Sequence, residues 1–369
     1  MGKQRLFEPF NLKGLELKNS VVMAPMTRSR SNNADHAATE LNATYYEQRA
    51  TAGLIITEGT VVSPKATGYI NVPGIYSEAQ VKGWRLSTDA VHKKGGAIFA
   101  QIWHTGRISH PDLLDGDLPL APSAINPHAK VFGPKGLVDT VTPKEMSIED
   151  IKRTIQDFKN AAANALKAGF DGVELHAANG YLFHQFFNQS SNQRTDEYGG
   201  SIENRARFLF ELLEELKEVI DLKRVGIRLN PSLHNMQGMV IDEGSIPVHE
   251  YIIQKLNDYD IAYVHLLEPF TPVEDVPHAV TNVAAHFRPL YKGNLIINKG
   301  FTAETANKVL EDGLADLVSF GVPFIANPDL VARMEQNLPL ATPDTTTFYT
   351  PGAKGYIDYP AYEQLAANS

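Results

Sequence analysis

No cysteine occurs anywhere in the 369 residues. Disulfides, zinc–thiolate centres and iron–sulfur clusters are thereby excluded, so any redox chemistry in this chain rests on a bound organic cofactor. Lysine and arginine form no run, and the formal net charge is −9. A nucleic-acid surface needs a concentrated cationic face to neutralise phosphates, and none is expected. Met1 to Phe10 carries charge and Pro9 with no apolar stretch behind it, which argues against a signal peptide or membrane span and makes a cytoplasmic location the expectation. No H-x-H pair and no cluster of carboxylates completes a metal site, so no metal is expected.

What is present is ordinary globular material, 43% hydrophobic and 21% charged, enough for a large buried core. A unit recurs along it: an amphipathic helical pattern, a glycine or aspartate turn, a short apolar strand, and a polar cluster where the strand ends. Strands are expected at Val21–Ala24, Leu54–Glu58, Ala97–Ile102, Gly172–Leu175, Val225–Leu229, Tyr263–Leu267, Leu295–Asn298 and Leu317–Phe320. Helical patterns separate them at Thr39–Thr51, Glu78–Lys93, Ile148–Lys167, Ile202–Ile220, Val248–Tyr259, Val280–Leu290, Ala303–Glu311 and Asp329–Gln336. Several end in glycine, as at Gly95, Gly169 and Gly313, where a helix C-cap needs a positive φ. Strict alternation of about eight short apolar strands with helices predicts the α/β class and a closed (β/α)8 TIM barrel. The rival, a doubly wound open sheet, lacks its G-x-G-x-x-G after the first strand. Three long departures from the repeat, Trp103–Ser147, Tyr181–Gly200 and the tail after Pro339, are read as lids and pocket walls at the C-terminal mouth. For the first, a mobile surface excursion is the alternative.

In a barrel the strand C-termini converge on one mouth, and catalysis is built there. Here strand ends deliver Pro25-Met26-Thr27, Glu58-Gly59-Thr60, Gln101 with Trp103-His104, His176 with Asn179-Gly180-Tyr181, Arg228 with Asn230, Asn298-Lys299-Gly300 and Phe320-Gly321. His176 and Asn179, three residues apart, can both point a donor at one carbonyl or nitro oxygen while the Tyr181 phenol offers a proton. The alternative is a satisfied core histidine and a packing tyrosine. Arg228 is a permanent cation at the end of a buried strand and must face an anion or strong acceptor. A salt bridge to Glu58 or Glu174 would serve, and so would a flavin, whose reduced form carries negative charge near N1 and O2. Glycines after strands seven and eight suit a barrel phosphate pocket.

At these residues the sequence resembles the Old Yellow Enzyme family of FMN-dependent ene-reductases. The likeness begins at Leu6-Phe7-Glu8-Pro9 and Ala24-Pro25-Met26-Thr27-Arg28 and passes through Gln101–Arg107, His176–Tyr181 and Asp196–Arg205. It ends at Ile325–Leu330 and Gly355–Pro360.

The resemblance implies one FMN-binding barrel domain over residues 1–369, with the barrel at about 20–339 and the tail 340–369 near the mouth. It implies non-covalent FMN held by Pro25, Met26, Thr27, Gly59, Gln101, His176 and Arg228, with its phosphate at Lys299, Gly300, Gly321 and Val322. His176 and Asn179 would bind the substrate's activating oxygen, Tyr181 would be the proton donor, and Tyr69, Trp103 and Tyr349 would line the pocket. Thr27 matches the subgroup with threonine at the flavin-facing position; a related subgroup has cysteine there. The implied reaction has two halves at one site. NADPH or NADH gives hydride to FMN, and an activated alkene (enone, enal, maleimide or nitroalkene) then takes hydride at its β-carbon and a proton from Tyr181 at its α-carbon. The chain would work as monomer or homodimer. One departure stands out: relatives usually have glycine-arginine after strand eight, the arginine on the FMN phosphate, where this chain has Gly321-Val322. Lys299 could take that role or point to solvent. The competing functions are a barrel aldolase or metal-assisted hydrolase using His104, His110 and His176, and a non-catalytic flavin carrier.

Overall fold

Each expected strand is present in the computed structural model, which describes residues 4–363. The barrel strands are β1 (Val21–Met23), β2 (Leu54–Ile56), β3 (Ile98–Trp103), β4 (Gly172–Ala177), β5 (Val225–Leu229), β6 (Tyr263–Leu267), β7 (Leu295–Asn298) and β8 (Leu317–Phe320). Every neighbouring pair is parallel, and β8 pairs with β1 through Val318↔Val21, so the sheet closes with no free edge. All the residues of these strands are buried, which is why they read as continuous apolar runs and not as alternating ones.

Among the described residues, the α-helices around or above the barrel are α1 (Glu40–Gln48), α2 (Glu78–Lys93), α3 (Ile148–Lys167), α4 (Leu182–Phe187), α5 (Ile202–Leu216), α6 (Ser245–Lys255), α7 (Val283–Phe287), α8 (Ala303–Glu311), α9 (Val322–Ala326) and α10 (Leu330–Glu335). Their ends follow local chemistry. Ser77 and Ser147 open α2 and α3 with reciprocal capping boxes to Gln80 and Asp150. Gly95, Gly169 and Gly313 follow α2, α3 and α8 at φ of +67°, +89° and +69°, as expected from their position. Two boundaries differ from expectation because of proline. α7 stops at Phe287 and tightens into a 3-10 turn containing Pro289, and α6 starts at Ser245, with Pro247 in its first turn where a missing N–H costs nothing.

An unforeseen antiparallel hairpin, Phe10–Leu12 with Leu15–Leu17, turns through Lys13 and Gly14. Its Leu12 and Leu17 pack on Val22, Leu54, Phe99, Ile296 and Leu317, closing the N-terminal end of the barrel with apolar groups. Strands of three residues are too short to leave a periodic signal. Polar side chains gather instead toward the C-terminal ends, where Gln101, Glu174, His176, Arg228, His265 and Ser319 are all buried.

The long loops cover that mouth. Trp103–Ser147 holds the hairpin Lys130–Gly133 with Gly136–Asp139, so it is built structure and not a loose excursion. The tail is tied down by two buried cations: Arg28 donates to the carbonyls of Phe348 and Gly355, and Arg30 to those of Thr347, Phe348 and Lys354. Residues 364–369 of the tail, and 1–3 at the other end, lie outside the described residues.

Candidate active site

Register sets the buried floor of the site. Parallel pairing puts Glu174 opposite Gln101 and His176 opposite Arg228, so these side chains share the inner face of the barrel. Glu174 accepts from Gln101 Nε2 and bonds His265 Nδ1, both at 2.8 Å, and His265 Nε2 reaches Ser319 Oγ at 2.8 Å. Burial alone would raise the Glu174 pKa; His265, Arg228 and the Gln101 bond outweigh it and hold the carboxyl below its usual range. With both oxygens so engaged, Glu174 makes no hydrogen bond to Arg228, and neither does Glu58, whose Oε2 takes the Arg28 backbone N–H at 3.1 Å.

Arg228 donates from Nη2 to Asn298 Oδ1 at 3.0 Å, while its buried Nε and Nη1 have no partner among the described residues. The salt-bridge alternative is therefore not what this side chain does. Buried guanidinium N–H groups without acceptors are costly. They fit a missing polar group with acceptor atoms in the barrel mouth, which is what the N1–O2 edge of a flavin presents.

Above this floor stands His176. Burial, followed by the charge of Arg228, pushes its pKa well below 6.5, so the ring is neutral. Its Nδ1 accepts from the Ala178 N–H at 3.4 Å, which leaves the proton on Nε2 as a donor. Asn179 sits in the left-handed region at φ +56°, and its Oδ1 accepts from Asn230 Nδ2 at 2.9 Å, so its own Nδ2 remains free to donate. Gly180 makes this turn possible: a Cβ there would stand 2.7 Å from Gln237 and 2.9 Å from Met239.

Tyr181 packs edge-on against Trp103 (4.8 Å between centroids) and His176 (4.9 Å). Burial raises its pKa well above 10, and Tyr69 reinforces the shift, so the phenol keeps its proton. Tyr69 and Tyr181 share a hydrogen bond of 3.2 Å, and Gln237 Nε2 donates to the Tyr69 oxygen at 3.1 Å. A cavity of about 670 Å³ opens here, lined by Thr27, Tyr69, Tyr181, Gln237, Phe132 and Tyr349 among others. This is the size of a small-molecule site. Its outer rim carries exposed apolar groups, Phe132 at 51%, Leu137 at 59% and Tyr349 at 62%.

The remaining expected residues divide. Pro25, Met26 and Thr27 are half-buried after β1, beside Gly321, whose added Cβ would lie 3.5 Å from Met26 Sδ. Gln101 points its amide nitrogen at Glu174, which leaves its oxygen as an acceptor. Gly59 is buried because a Cβ would strike the Trp103 ring at 2.3 Å, so the space it leaves is filled by that indole. Trp103 itself packs against the rings of Tyr69, Tyr181 and His176. Lys299 and Gly300 are exposed beside a second cavity of about 570 Å³. The Lys299 ammonium lies 5.0 Å over the Phe270 ring, and Val322, in the first turn of α9, is 53% exposed. His104 and His110 do not gather with His176: each accepts a backbone N–H two residues on, from Gly106 and Asp112.

Sequence reasoning left out Gln237, the Phe132–Leu137 hairpin and the Arg28 and Arg30 tie. The only signal for Gln237 was the turn-forming run Asn235-Met236-Gln237-Gly238, where Asn235, Gln237 and Gly238 take φ of +53°, +55° and +68°.

A closed barrel with an unmet cation on its floor and a neutral histidine, an amide and a protonated tyrosine at its mouth defines a flavin-dependent oxidoreductase. Residues 5–341 match the NADH:flavin oxidoreductase / NADH oxidase family. The rice (Oryza sativa subsp. japonica) 12-oxophytodienoate reductase 1 is 41% identical, over 99% of this chain and 95% of its own. The old yellow enzyme homologue of Zymomonas mobilis superposes with a TM-score of 0.90 at 41% identity, over 96% of this chain and 99% of that one. Morphinone reductase in complex with tetrahydroNAD gives 0.89 at 43% identity, over 96% and 97%. The chain belongs to the NADH:flavin oxidoreductase / NADH oxidase family and, within it, to the old yellow enzyme type of FMN-dependent oxidoreductase.

Proposed function

We propose that this chain reduces carbon–carbon double bonds activated by a carbonyl or nitro group, using NADPH or NADH as hydride donor. The observation that carries the reading is Tyr181 on the cavity wall with the His176 ring packed against it and Asn179 two residues before it, next to an Arg228 with two unpartnered N–H groups. FMN, when bound, accepts hydride from the nicotinamide and returns it to the alkene. Arg228, with its two unpartnered N–H groups, would face the anionic edge of the reduced ring, and the Gln101 amide oxygen, left free by Glu174, would be available as an acceptor for the flavin. Pro25, Met26, Thr27 and Gly59 would border the ring, and Lys299, Gly300, Gly321 and Val322 the phosphate, with Lys299 as the one cation of that group.

The neutral His176 donates from Nε2 and Asn179 from Nδ2 to one substrate oxygen. Charge develops on that oxygen as hydride arrives at the β-carbon, so two fixed donors in a partly dry site stabilise the transition state more than the ground state. Tyr181 gives its proton to the α-carbon, and Tyr69 and Gln237 hold the phenol in place. Tyr349 and the Phe132–Leu137 hairpin shield the bound alkene from water. Enones, enals, maleimides and nitroalkenes share the required oxygen.

The tetrahydroNAD complex of morphinone reductase supports a nicotinamide as the hydride donor; NADPH is our preference over NADH. We read residues 1–369 as one domain, working in the cytoplasm as monomer or homodimer; no helix among the described residues is long and apolar enough to cross a membrane. Steady-state kinetics test the scheme. Varying NADPH against 2-cyclohexenone should give the parallel double-reciprocal lines of two reactants using one site in turn, whereas intersecting lines would contradict it.

A further inference from the structure

Asn230 lies one residue beyond β5 and is fully buried. Its Nδ2 donates to Asn179 Oδ1 at 2.9 Å, and its own Oδ1 has no partner among the described residues. An amide at Asn179 can present either of two ends to a ligand: Nδ2, which attracts an oxygen, or Oδ1, which repels it. The Asn179 backbone sits at φ +56°, and the next residue, Gly180, leaves no room for a Cβ against Gln237 and Met239. The backbone therefore sets where the amide sits, and nothing in it decides which end faces the mouth. In the structure the hydrogen bond from Asn230 takes up the Asn179 oxygen and leaves the N–H end of that amide free.

We propose that Asn230 is a positioning residue that fixes the polarity of the Asn179 amide, keeping its N–H end toward the substrate oxygen. The inference rests on the reading of Asn179 as an oxygen-binding donor. A side chain able only to accept at position 230 would pull the Asn179 N–H inward and turn its carbonyl oxygen on the ligand. Asn230→Asp makes that change with almost no change of shape. When the aspartate carries a proton, it can donate to Asn179 Oδ1 and restore the original polarity.

The test uses FMN-loaded, oxidised protein and 2-cyclohexenone, which does not titrate, with the dissociation constant read from the flavin spectrum between pH 5 and 9. Asn179→Ala should weaken binding about tenfold, the loss of one hydrogen bond to a polarised oxygen. Asn230→Asp should weaken it at least as much at high pH and recover as pH falls and the carboxyl protonates, while wild type stays flat. In the double variant, Asn230→Asp should add nothing to Asn179→Ala and show no pH dependence, since the effect acts through Asn179. Asn230→Ala frees the amide without reversing it, and should give a smaller, pH-independent loss even if the aspartate variant folds poorly. Weakening by Asn179→Ala with wild-type affinity in both Asn230 variants overturns the positioning role alone. Unchanged affinity in Asn179→Ala overturns the oxygen-binding reading and this inference with it.

Discussion

Tyr69 and Tyr181 meet at the cavity wall with their hydroxyls 3.2 Å apart, and Gln237 Nε2 holds the Tyr69 oxygen at 3.1 Å. Tyr181, the proposed proton donor, is thus the inner end of a short hydrogen-bonded chain that starts on the loop after β5. Tyr181→Phe should slow alkene reduction by about a hundredfold or more, the usual worth of a placed general acid, and leave flavin reduction by NAD(P)H nearly unchanged. Tyr69→Phe should affect the same step less. Stopped-flow measurement of the two half-reactions checks this, and equal losses in both would count against Tyr181 as the acid.

Arg228 holds two buried N–H groups without acceptors, so its replacement should be felt mainly by the cofactor. Arg228→Met, similar in length and uncharged, should weaken FMN by about 1.5–3 kcal/mol, as for a hydrogen bond to a charged group, and lower the flavin reduction potential. Fluorescence titration and spectroelectrochemistry read both. Tight FMN with an unchanged potential would place the guanidinium's missing partner elsewhere.

Lys299 adopts φ +91°, a backbone region costly for any side chain with a Cβ. Lys299→Gly should therefore raise the melting temperature of the FMN-free protein. If the ammonium serves the phosphate, Lys299→Ala should weaken FMN about tenfold at low salt and less at high salt, and Val322→Arg should restore it in the double variant. Equal FMN affinity in wild type and Lys299→Ala would leave the ammonium with Phe270 alone.

Burial raises the Glu58 pKa from 4.5 to about 7 despite the Arg28 N–H and nearby guanidinium charges. Between those values the unfolded chain has lost the proton and the folded one keeps it, so this carboxyl makes stability fall as pH rises from 4.5 to 7. Across that window, wild type should lose stability relative to Glu58→Gln by about 3 kcal/mol. Chemical denaturation of both at several pH values measures the difference, and a constant difference would mean that Glu58 titrates normally.

Much of this was legible because barrels confine chemistry to strand ends. β5, β6, β7 and β8 have the bounds expected from apolar runs alone, and buried polar residues such as Gln101, Glu174, His176 and Arg228 gather toward the strand ends. What the sequence did not reveal depends on contacts made at a distance. Nothing near Arg28 announces that it binds the Phe348 and Gly355 carbonyls more than 300 positions away. The packing of Trp103 beside Gly59 and edge-on to Tyr181 likewise joins three distant stretches of chain. The strands of the Phe10–Leu17 hairpin are too short to show in the pattern, and the Asn179–Asn230 hydrogen bond joins residues that lie just past two neighbouring strands.

The most direct test of the account is an anaerobic titration of the purified protein in two steps. As isolated it should be yellow, bleach with a stoichiometric amount of NADPH or NADH, and regain its full flavin absorbance on adding 2-cyclohexenone, with cyclohexanone formed in equal amount. A protein that holds no FMN, or whose bleached form stays bleached in the presence of the enone, would contradict it.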